Sequence, residues 1–329
     1  MGGPARRERL AFGPLKSFHQ EPAREVHTWQ REFQSIPGKD FGGSVRDRRG
    51  PPLLPQGPAE GERLLGPPET YDELKEIALK TRQDSGTKFG FVFQGANYEG
   101  GVCNALEYIW NYGGDVLDGD KAVVDSPEAV AGLSEYRSMI ADGVTTRAMT
   151  TYMEEESQGA FLNGDAVFMR NWSYVYALTS DPAQSKIKPG QVGISTLPVA
   201  EGQTSTNVLG ATNLYVNATT KSEEASWALI RYFTAPEQQK LRAIEGARIP
   251  VLKSLYEDEQ LLEELPVMEL GKKALQTVRP RPVSPYYSDM SLEMAEQFNA
   301  ILAGETTPER GAKTLQSDLE KIIKQGKNL

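Results

Sequence analysis

Apolar positions with helical spacing recur along most of the chain and are separated by short apolar runs and polar turns. The first such segment follows Thr70. Thr70 and Glu73 have the spacing of a capping box, and apolar Leu74, Ile77 and Ala78 come next on one face. This pattern predicts a helix that begins directly after Thr70.

The same reasoning predicts strands and helices in alternation over the remaining residues. Short apolar runs indicate strands, whereas longer periodic stretches with Pro at the start or Gly at the end indicate helices. The predicted strands are 89–93, 166–168, 192–194 and 214–216, and the predicted helices are 98–112, 127–140, 153–162, 222–233, 236–246, 292–302 and 308–329. Helices alternating with strands predict an α/β fold in which both faces of the sheet are covered.

One stretch, residues 168–176, combines Arg170 with the aromatic residues Trp172, Tyr174 and Tyr176. It follows an apolar run that is predicted to be a strand. An aromatic ring on a loop after a strand is a suitable stacking surface for the flat face of a sugar. Core filling is the alternative, because most Trp and Tyr side chains are simply well buried. Spacing alone leaves both interpretations open and favours the core.

The net charge and the small numbers of cysteine and histidine residues exclude several kinds of site. The 329 residues carry a formal net charge of −9, which argues against a nucleic-acid surface. Cys103 is the single cysteine and lies among helical apolar residues, so we expect a core residue rather than a nucleophile. The two histidines, His19 and His27, provide no cluster for a metal, and we predict no cofactor. No apolar run has the length of a membrane span.

From Pro67 onward the chain resembles the substrate-binding proteins of carbohydrate ABC importers, extracellular solute-binding protein family 1, and most closely the trehalose/maltose-binding proteins. The matching stretches follow the order of the family and cover most of this part of the chain. They are PPETYDEL, GFVFQGANYEGGVCNALEYIWNYGGD, GAFLNGDAVFMRNWSYVYAL, VGISTLPV, VLGATNLYV, SWALIRYFTAPEQQK and RPRPVSPYYSDMSLEMAEQFNAILAGETTPERGAKTLQ.

This resemblance implies a two-lobed, periplasmic-binding-protein-like α/β fold of type II, whose cleft closes on a sugar by hinge bending. Residues 67–195 and 256–329 would form lobe II, and residues 196–255 a remnant of lobe I. The resemblance also implies a monomer that is periplasmic or membrane-anchored outside the cytoplasm. Its partners would be a small-molecule carbohydrate and the permease subunits of an ABC importer.

Five positions of this sequence match ligand-binding positions of the family. Trp172 and Tyr174 fall where the family has aromatic residues that stack on sugar rings. Gly210 falls in a loop that lines the cleft, and Thr212 replaces an aromatic residue of the family, which puts that stacking contact in doubt. Arg281 matches an arginine that binds sugar hydroxyls, although a surface salt bridge is an equal alternative for it. Gln94 and Glu99 are expected to be structural.

Residues 1–66 do not resemble the family and are rich in Arg, Gly and Pro, a composition typical of disorder. Back-translation of residues 38–66, read one base later, permits GKILAVPYATDAGLLYYRKDLLKESGFSG, which has family character and joins PPETYDEL without a gap. We therefore expect that residues up to about Gly66 are translated out of frame and that the first lobe is incomplete. Exposed edges, apolar patches and weak or absent sugar binding should follow. The nucleotide sequence tests this hypothesis.

Three functions compete at this point. The first is binding of a di- or oligosaccharide, similar to trehalose, maltose or sucrose, for delivery to an importer. The second is a non-functional remnant of such a protein, which a broad and weakly cooperative melt would support. The third is a glycoside hydrolase, which needs two carboxylates that flank the scissile bond. Near Trp172 the sequence offers only Asp165, which is typical of a turn, and the acidic run 154–156, which is typical of a solvated helix start.

Overall fold

Helices and short strands alternate along the part of the chain that the structure, a computed structural model, describes: residues 44–46, 67–210 and 212–327. Short 3-10 helices lie between some of these elements. The helices are α1 Tyr71–Ser85, α2 Glu99–Asn111, α3 Pro127–Ala141, α4 Glu154–Leu162, α5 Val175–Leu178, α6 Glu223–Thr234, α7 Pro236–Gly246, α8 Glu259–Glu264, α9 Pro266–Ala274, α10 Tyr287–Ala303 and α11 Pro308–Lys327.

Local capping sequences fix where α1 and α3 begin. Thr70 Oγ1 accepts a hydrogen bond from the Glu73 amide at 3.2 Å, and the Glu73 carboxylate accepts one from the Thr70 amide at 3.3 Å. Ser126 caps α3 through the Ala129 amide, with Pro127 at the first helical position. Each cap satisfies backbone N–H groups that have no partner within the helix. The predicted starts of both helices are confirmed.

The strands are β1 Ser44–Arg46, β2 Phe89–Val92, β3 Leu117–Asp118, β4 Lys121–Ala122, β5 Ala166–Met169 and β6 Val192–Ile194. Four of them form the main sheet, in the order β2-β5-β1-β6, whereas β3 and β4 form a separate two-stranded hairpin. β2 and β5 are parallel, whereas β1 runs antiparallel to both β5 and β6. The rest of the segment 1–66 lies outside the described residues.

β1 was not expected, because the segment 1–66 shows no strand periodicity. Its three residues are too few to display a period of two, and the backbones of β5 and β6 supply its hydrogen bonds on both sides. A strand that depends on its neighbours in this way leaves little signal in its own sequence.

The prediction of a strand at 214–216 is wrong. No strand is assigned there, and the side chains of Leu214 and Tyr215 are 50% and 86% exposed. An apolar run becomes a strand only where a neighbouring strand pairs with it, and no such pairing is formed here among the described residues. Two further differences concern helices: α10 begins earlier than predicted, at Tyr287 rather than 292, and the sequence pattern does not indicate α8 or α9.

The larger of two core clusters surrounds α2, whose residues are buried from Gly100 to Asn111. α3 and α10 pack against this helix, α11 packs against α3 and α10, and β2 and β5 complete the cluster. The second cluster joins α7, α8 and α9. None of the helices in the described residues is both long and apolar enough to cross a membrane. The predicted lobe boundaries at residues 67, 196 and 256 stay predictions.

Candidate functional site

Trp172 is the third residue after β5, in the short segment that leads to α5, and its side chain is partly buried. The indole Nε1 donates a hydrogen bond to Glu154 Oε1 at 3.1 Å. Glu154 Oε2 accepts a second hydrogen bond, at 2.7 Å, from the Tyr98 hydroxyl. Glu154 therefore joins two aromatic side chains. The expectation that the run 154–156 is simply a solvated helix start is wrong for its first residue, because tertiary contacts engage that carboxylate.

A buried arginine supports the indole ring from one side. The Arg170 guanidinium carbon lies 4.4 Å from the centroid of the Trp172 ring, a distance at which cation–π attraction is favourable. Arg170 is 1% exposed and forms two hydrogen bonds of 2.8 Å to the Glu107 carboxylate. A third, of 2.9 Å, reaches Gln94 Oε1. Two-point pairing fixes the plane of the guanidinium and, with it, the position of the ring.

Glu107 also connects Trp172 with the segment that precedes Gly210. The Val208 amide donates a hydrogen bond to Glu107 Oε1 at 3.1 Å. The same segment pairs with Arg279, whose carbonyl oxygen accepts a hydrogen bond from the Leu209 amide at 2.7 Å. Gly210, which follows, is partly buried, and Thr212 is exposed. The carboxylate of Glu107 thus holds two sequence-distant parts of the candidate site in a fixed relation.

Tyr174 lies two residues beyond Trp172 and is partly buried. Its hydroxyl donates to Gln158 Oε1 at 2.9 Å, and the Arg248 guanidinium carbon lies 4.8 Å from its ring centroid. Burial, reinforced by the nearby carboxylate of Glu154, raises the pKa of the Tyr174 hydroxyl to about 12. The phenol is therefore neutral and remains a hydrogen-bond donor at physiological pH.

Arg281 belongs to a second polar group, at the start of α2. Its Nη1 lies 2.6 Å from Glu99 Oε1, and the Tyr287 hydroxyl donates to the same oxygen at 2.6 Å. The hydroxyl of Ser291 donates to the other oxygen of Glu99. The burial of Tyr287 raises the pKa of its phenol above the usual range, and its bond to the Glu99 carboxylate adds to this effect. The salt-bridge alternative for Arg281 is thus realised in the structure.

Both arginines are oriented toward the same helix. Glu99, Cys103 and Glu107 are spaced four residues apart on α2 and share one face of it. Arg281 pairs with the first of them and Arg170 with the last. Burial raises the pKa of the Cys103 thiol between them, and the two cations oppose that shift only in part.

Trp172, through Arg170, and Arg281 are thus connected to α2, and so is Val208, two residues before Gly210. Tyr174 instead contacts Gln158 of α4 and Arg248. Among the described residues, no hydrogen bond connects Thr212 to this group.

A small cavity of about 30 Å³ lies beside Trp172. Small-molecule sites typically have about 300–1,000 Å³, so this cavity alone does not enclose a sugar ring. Polar and aromatic side chains near Trp172 share its lining with apolar side chains from β5, β6 and α9. The lining residues are Phe161, Met169, Asn171, Trp172, Ser173, Val175, Tyr176, Thr179, Val192, Ile194 and Val267.

Comparison with known proteins relates this arrangement to a family. The model of the bacterial extracellular solute-binding proteins matches residues 51–240. A probable ABC transporter-binding protein of Deinococcus radiodurans is 33% identical over 271 residues, which are 79% of this chain and 63% of that protein. The chain thus spans less than two thirds of the length of this relative.

Two solved structures are similar in fold. Maltose-bound MalE3 of T. maritima has a TM-score of 0.75 and 36% identity, over 87% of this chain and 72% of that one. A solute-binding protein of Agrobacterium radiobacter K84, in complex with ribitol, has a TM-score of 0.72 and 25% identity, over 87% and 70% of the two chains. These matches confirm the predicted two-lobed α/β fold class, and the relatives are binding proteins rather than enzymes. The chain belongs to the bacterial extracellular solute-binding protein family.

Proposed function

We propose that this chain binds a di- or oligosaccharide, similar to maltose, trehalose or sucrose, on the surface formed by Trp172 and Tyr174. The observation that carries this proposal is the fixation of the Trp172 ring. Glu154 holds its edge and Arg170 lies over its ring. A preorganised aromatic ring stacks on a sugar with little loss of side-chain entropy. The maltose in MalE3 of T. maritima, the relative with 36% identity, supports the ligand class.

Three further polar groups would set the orientation of the sugar. Arg281 offers guanidinium donors, Gly210 offers its backbone, and Thr212 offers an exposed hydroxyl. Few but well-placed polar groups give a sugar site its specificity. Arg281 already pairs with Glu99, so a sugar hydroxyl would bind the donors that this pair leaves available.

Delivery to the permease of an ABC importer, outside the cytoplasm, completes the proposal and is supported by the relative that is a probable ABC transporter-binding protein. Binding without catalysis is favoured over glycoside hydrolysis. The carboxylate that contacts Trp172 is Glu154, and each of its oxygens accepts a hydrogen bond, one from Trp172 and one from Tyr98. A hydrolase needs carboxylates that are available to the scissile bond on both sides.

Calorimetric titration of the full chain with maltose, trehalose and sucrose tests this function. At least one sugar should bind, and Trp172→Ala should weaken that binding by at least about 30-fold, which corresponds to the loss of ~2 kcal/mol typical of a central aromatic contact. The matched control is Trp227→Ala, which removes an exposed indole of α6 that is not among the residues proposed to bind the sugar.

Two outcomes contradict the proposal. If Trp172→Ala binds as tightly as the unaltered chain, Trp172 is a core residue and not a platform. If none of the sugars binds and the thermal melt is broad and weakly cooperative, the chain is a non-functional remnant. A folded binding protein with another ligand would also fail to bind these sugars, but it would melt cooperatively.

A further inference from the structure

Two segments that are distant in the chain form a parallel bridge. The Arg279 amide donates a hydrogen bond to the Asn207 carbonyl oxygen at 2.8 Å, and the Arg279 carbonyl oxygen accepts one from the Leu209 amide at 2.7 Å. Gly210 comes directly after Leu209, and Arg281 comes two residues after Arg279. The position of the Arg279 backbone therefore affects two residues that are proposed to bind the sugar.

The opposite edge of the segment before Gly210 is held by α2. The Val208 amide donates to Glu107 Oε1 at 3.1 Å, and the Thr206 amide donates to Asn111 Oδ1 at 2.7 Å. In an extended segment, alternate backbone groups point to opposite edges. The α2 side chains therefore fix one edge of this segment, and the other edge depends on Arg279.

The side chain of Arg279 is anchored by a carboxylate just beyond the end of α2. Its guanidinium pairs with Asp115 Oδ2, and the guanidinium carbon lies 4.9 Å from the centroid of the Trp110 ring. Asp115 Oδ1 accepts two further hydrogen bonds, at 3.1 Å from the Trp110 indole and at 2.8 Å from the Val116 amide. Trp110 belongs to α2 and is buried in the larger core cluster. The core thus determines the position of the carboxylate that binds Arg279.

We propose that Asp115 is a positioning residue of the sugar site, which acts through Arg279 on Gly210 and Arg281. This inference rests on the function proposed above. Charge-assisted hydrogen bonds are stronger than neutral ones, and a carboxylate that other donors already hold loses little further entropy when it binds an arginine. Among the described residues, Asp115 is the one carboxylate that pairs with Arg279. Without this anchor, the bridge keeps its backbone hydrogen bonds but loses the side chain that connects it to the core.

Hydrogen exchange of individual backbone amides, measured by nuclear magnetic resonance on the full chain, tests the positioning without any sugar. Asp115→Asn keeps the size of the side chain and one acceptor oxygen but removes the charge. The amides of Leu209 and Arg279 should exchange about tenfold faster in this variant, because a charge-assisted hydrogen bond no longer holds the bridge closed. The amide of Val208, which binds Glu107, should keep its exchange rate.

A double-mutant cycle separates action through Arg279 from a general structural effect. Arg279→Met should accelerate the exchange of the Leu209 amide at least as much as Asp115→Asn does, and combining the two substitutions should add nothing further. Asp318→Asn is the matched control. It removes a carboxylate of similar exposure that pairs with Lys321 on α11, and it should leave the exchange of Leu209 unchanged.

Calorimetric titration connects the positioning with the function. The sugar that the unaltered chain binds, out of maltose, trehalose and sucrose, should bind about tenfold more weakly to Asp115→Asn. In the Arg279→Met background, Asp115→Asn should cause no further loss of affinity. Asp318→Asn should bind the sugar as tightly as the unaltered chain.

Three outcomes overturn the proposal. The first is unchanged exchange at Leu209 and Arg279. The second is equal acceleration at Val208, which indicates a general loosening of the chain. The third is faster exchange with unchanged sugar affinity, because the site then does not depend on the anchor. If the unaltered chain binds none of the sugars, the function proposed above fails, whereas the exchange rates still decide whether Asp115 holds the two segments together.

Discussion

At the residue scale, the ion pair of Arg170 and Glu107 determines the geometry of the candidate site. It is buried, with side-chain exposures of 1% and 2%, and it contacts the ring of Trp172 on one side and the Val208 amide on the other. Burying two charges costs solvation energy, which only complete hydrogen bonding offsets. The pair therefore contributes more to the positions of its neighbours than to the free energy of folding.

Replacing Arg170 by Met should lower the free energy of unfolding by about 3–5 kcal/mol, because Glu107 would remain buried without its partner. Urea unfolding followed by circular dichroism measures the change. Arg147→Met is the matched control: Arg147 pairs with Glu305 at the surface, where both side chains are exposed, and its loss should cost less than ~1 kcal/mol. If the two substitutions lower the free energy of unfolding equally, the burial of the ion pair does not determine how much stability is lost with its arginine.

Sequence alone indicates some of these residues and not others. Trp172 and Tyr174 could be identified because they stand together after an apolar run and match a family pattern. Glu154 could not, since it belongs to a run of three acidic residues that is typical of solvated helix starts. Its partners, Trp172 and Tyr98, lie 18 and 56 positions away in the chain. Only the packing of α4 against β5 and the start of α2 reveals its role.

At the element scale, the accuracy of sequence-based prediction depends on whether an element is specified locally. α1 and α3 begin where their capping residues indicate, because a cap acts within four residues. The strand predicted at 214–216 is not formed, because a strand requires a pairing partner that apolar periodicity cannot identify. β1 shows the converse: neighbouring strands define it although its own sequence has no pattern.

The capping interaction of α1 provides a quantitative prediction. Thr70→Ala should lower the free energy of unfolding by about 1 kcal/mol, since the Glu73 amide loses its acceptor. Thermal or urea unfolding measures this. Thr314→Ala, at an exposed position within α11, is the control and should be neutral or slightly stabilising, because Ala favours the helix interior over Thr. Destabilisation of similar size in both variants would show that the cap is not the cause.

At the scale of the whole molecule, α2 connects the core with the candidate site. Its side chains fill the larger core cluster, while Glu99 and Glu107 bind the two arginines of the site. Cys103 lies between these carboxylates and is buried. Because α3 and α10 pack directly against α2, and α11 packs against both of them, exposure of Cys103 should require the larger cluster to unfold as a unit.

The ionisation of Cys103 should make the stability of the molecule depend on pH. Burial raises the pKa of this thiol to about 12, although Arg170 and Arg281 oppose the shift, whereas an unfolded thiol ionises near pH ~8.5. Between these values the unfolded chain binds fewer protons than the folded chain, so the free energy of unfolding falls as the pH rises.

Urea unfolding at pH 8 and pH 10 measures this effect. Between these two pH values, the free energy of unfolding of the unaltered chain should fall by on the order of 2 kcal/mol more than that of Cys103→Ala. The variant lacks the thiol but keeps every other ionisable group. Cys103→Ala should be less stable than the unaltered chain at both pH values because it leaves a cavity. Since the change with pH is measured within each protein, this constant difference in the free energy of unfolding cancels. An equal loss in both proteins would mean that the thiol reaches solvent in the folded chain and that the cluster around α2 opens without global unfolding.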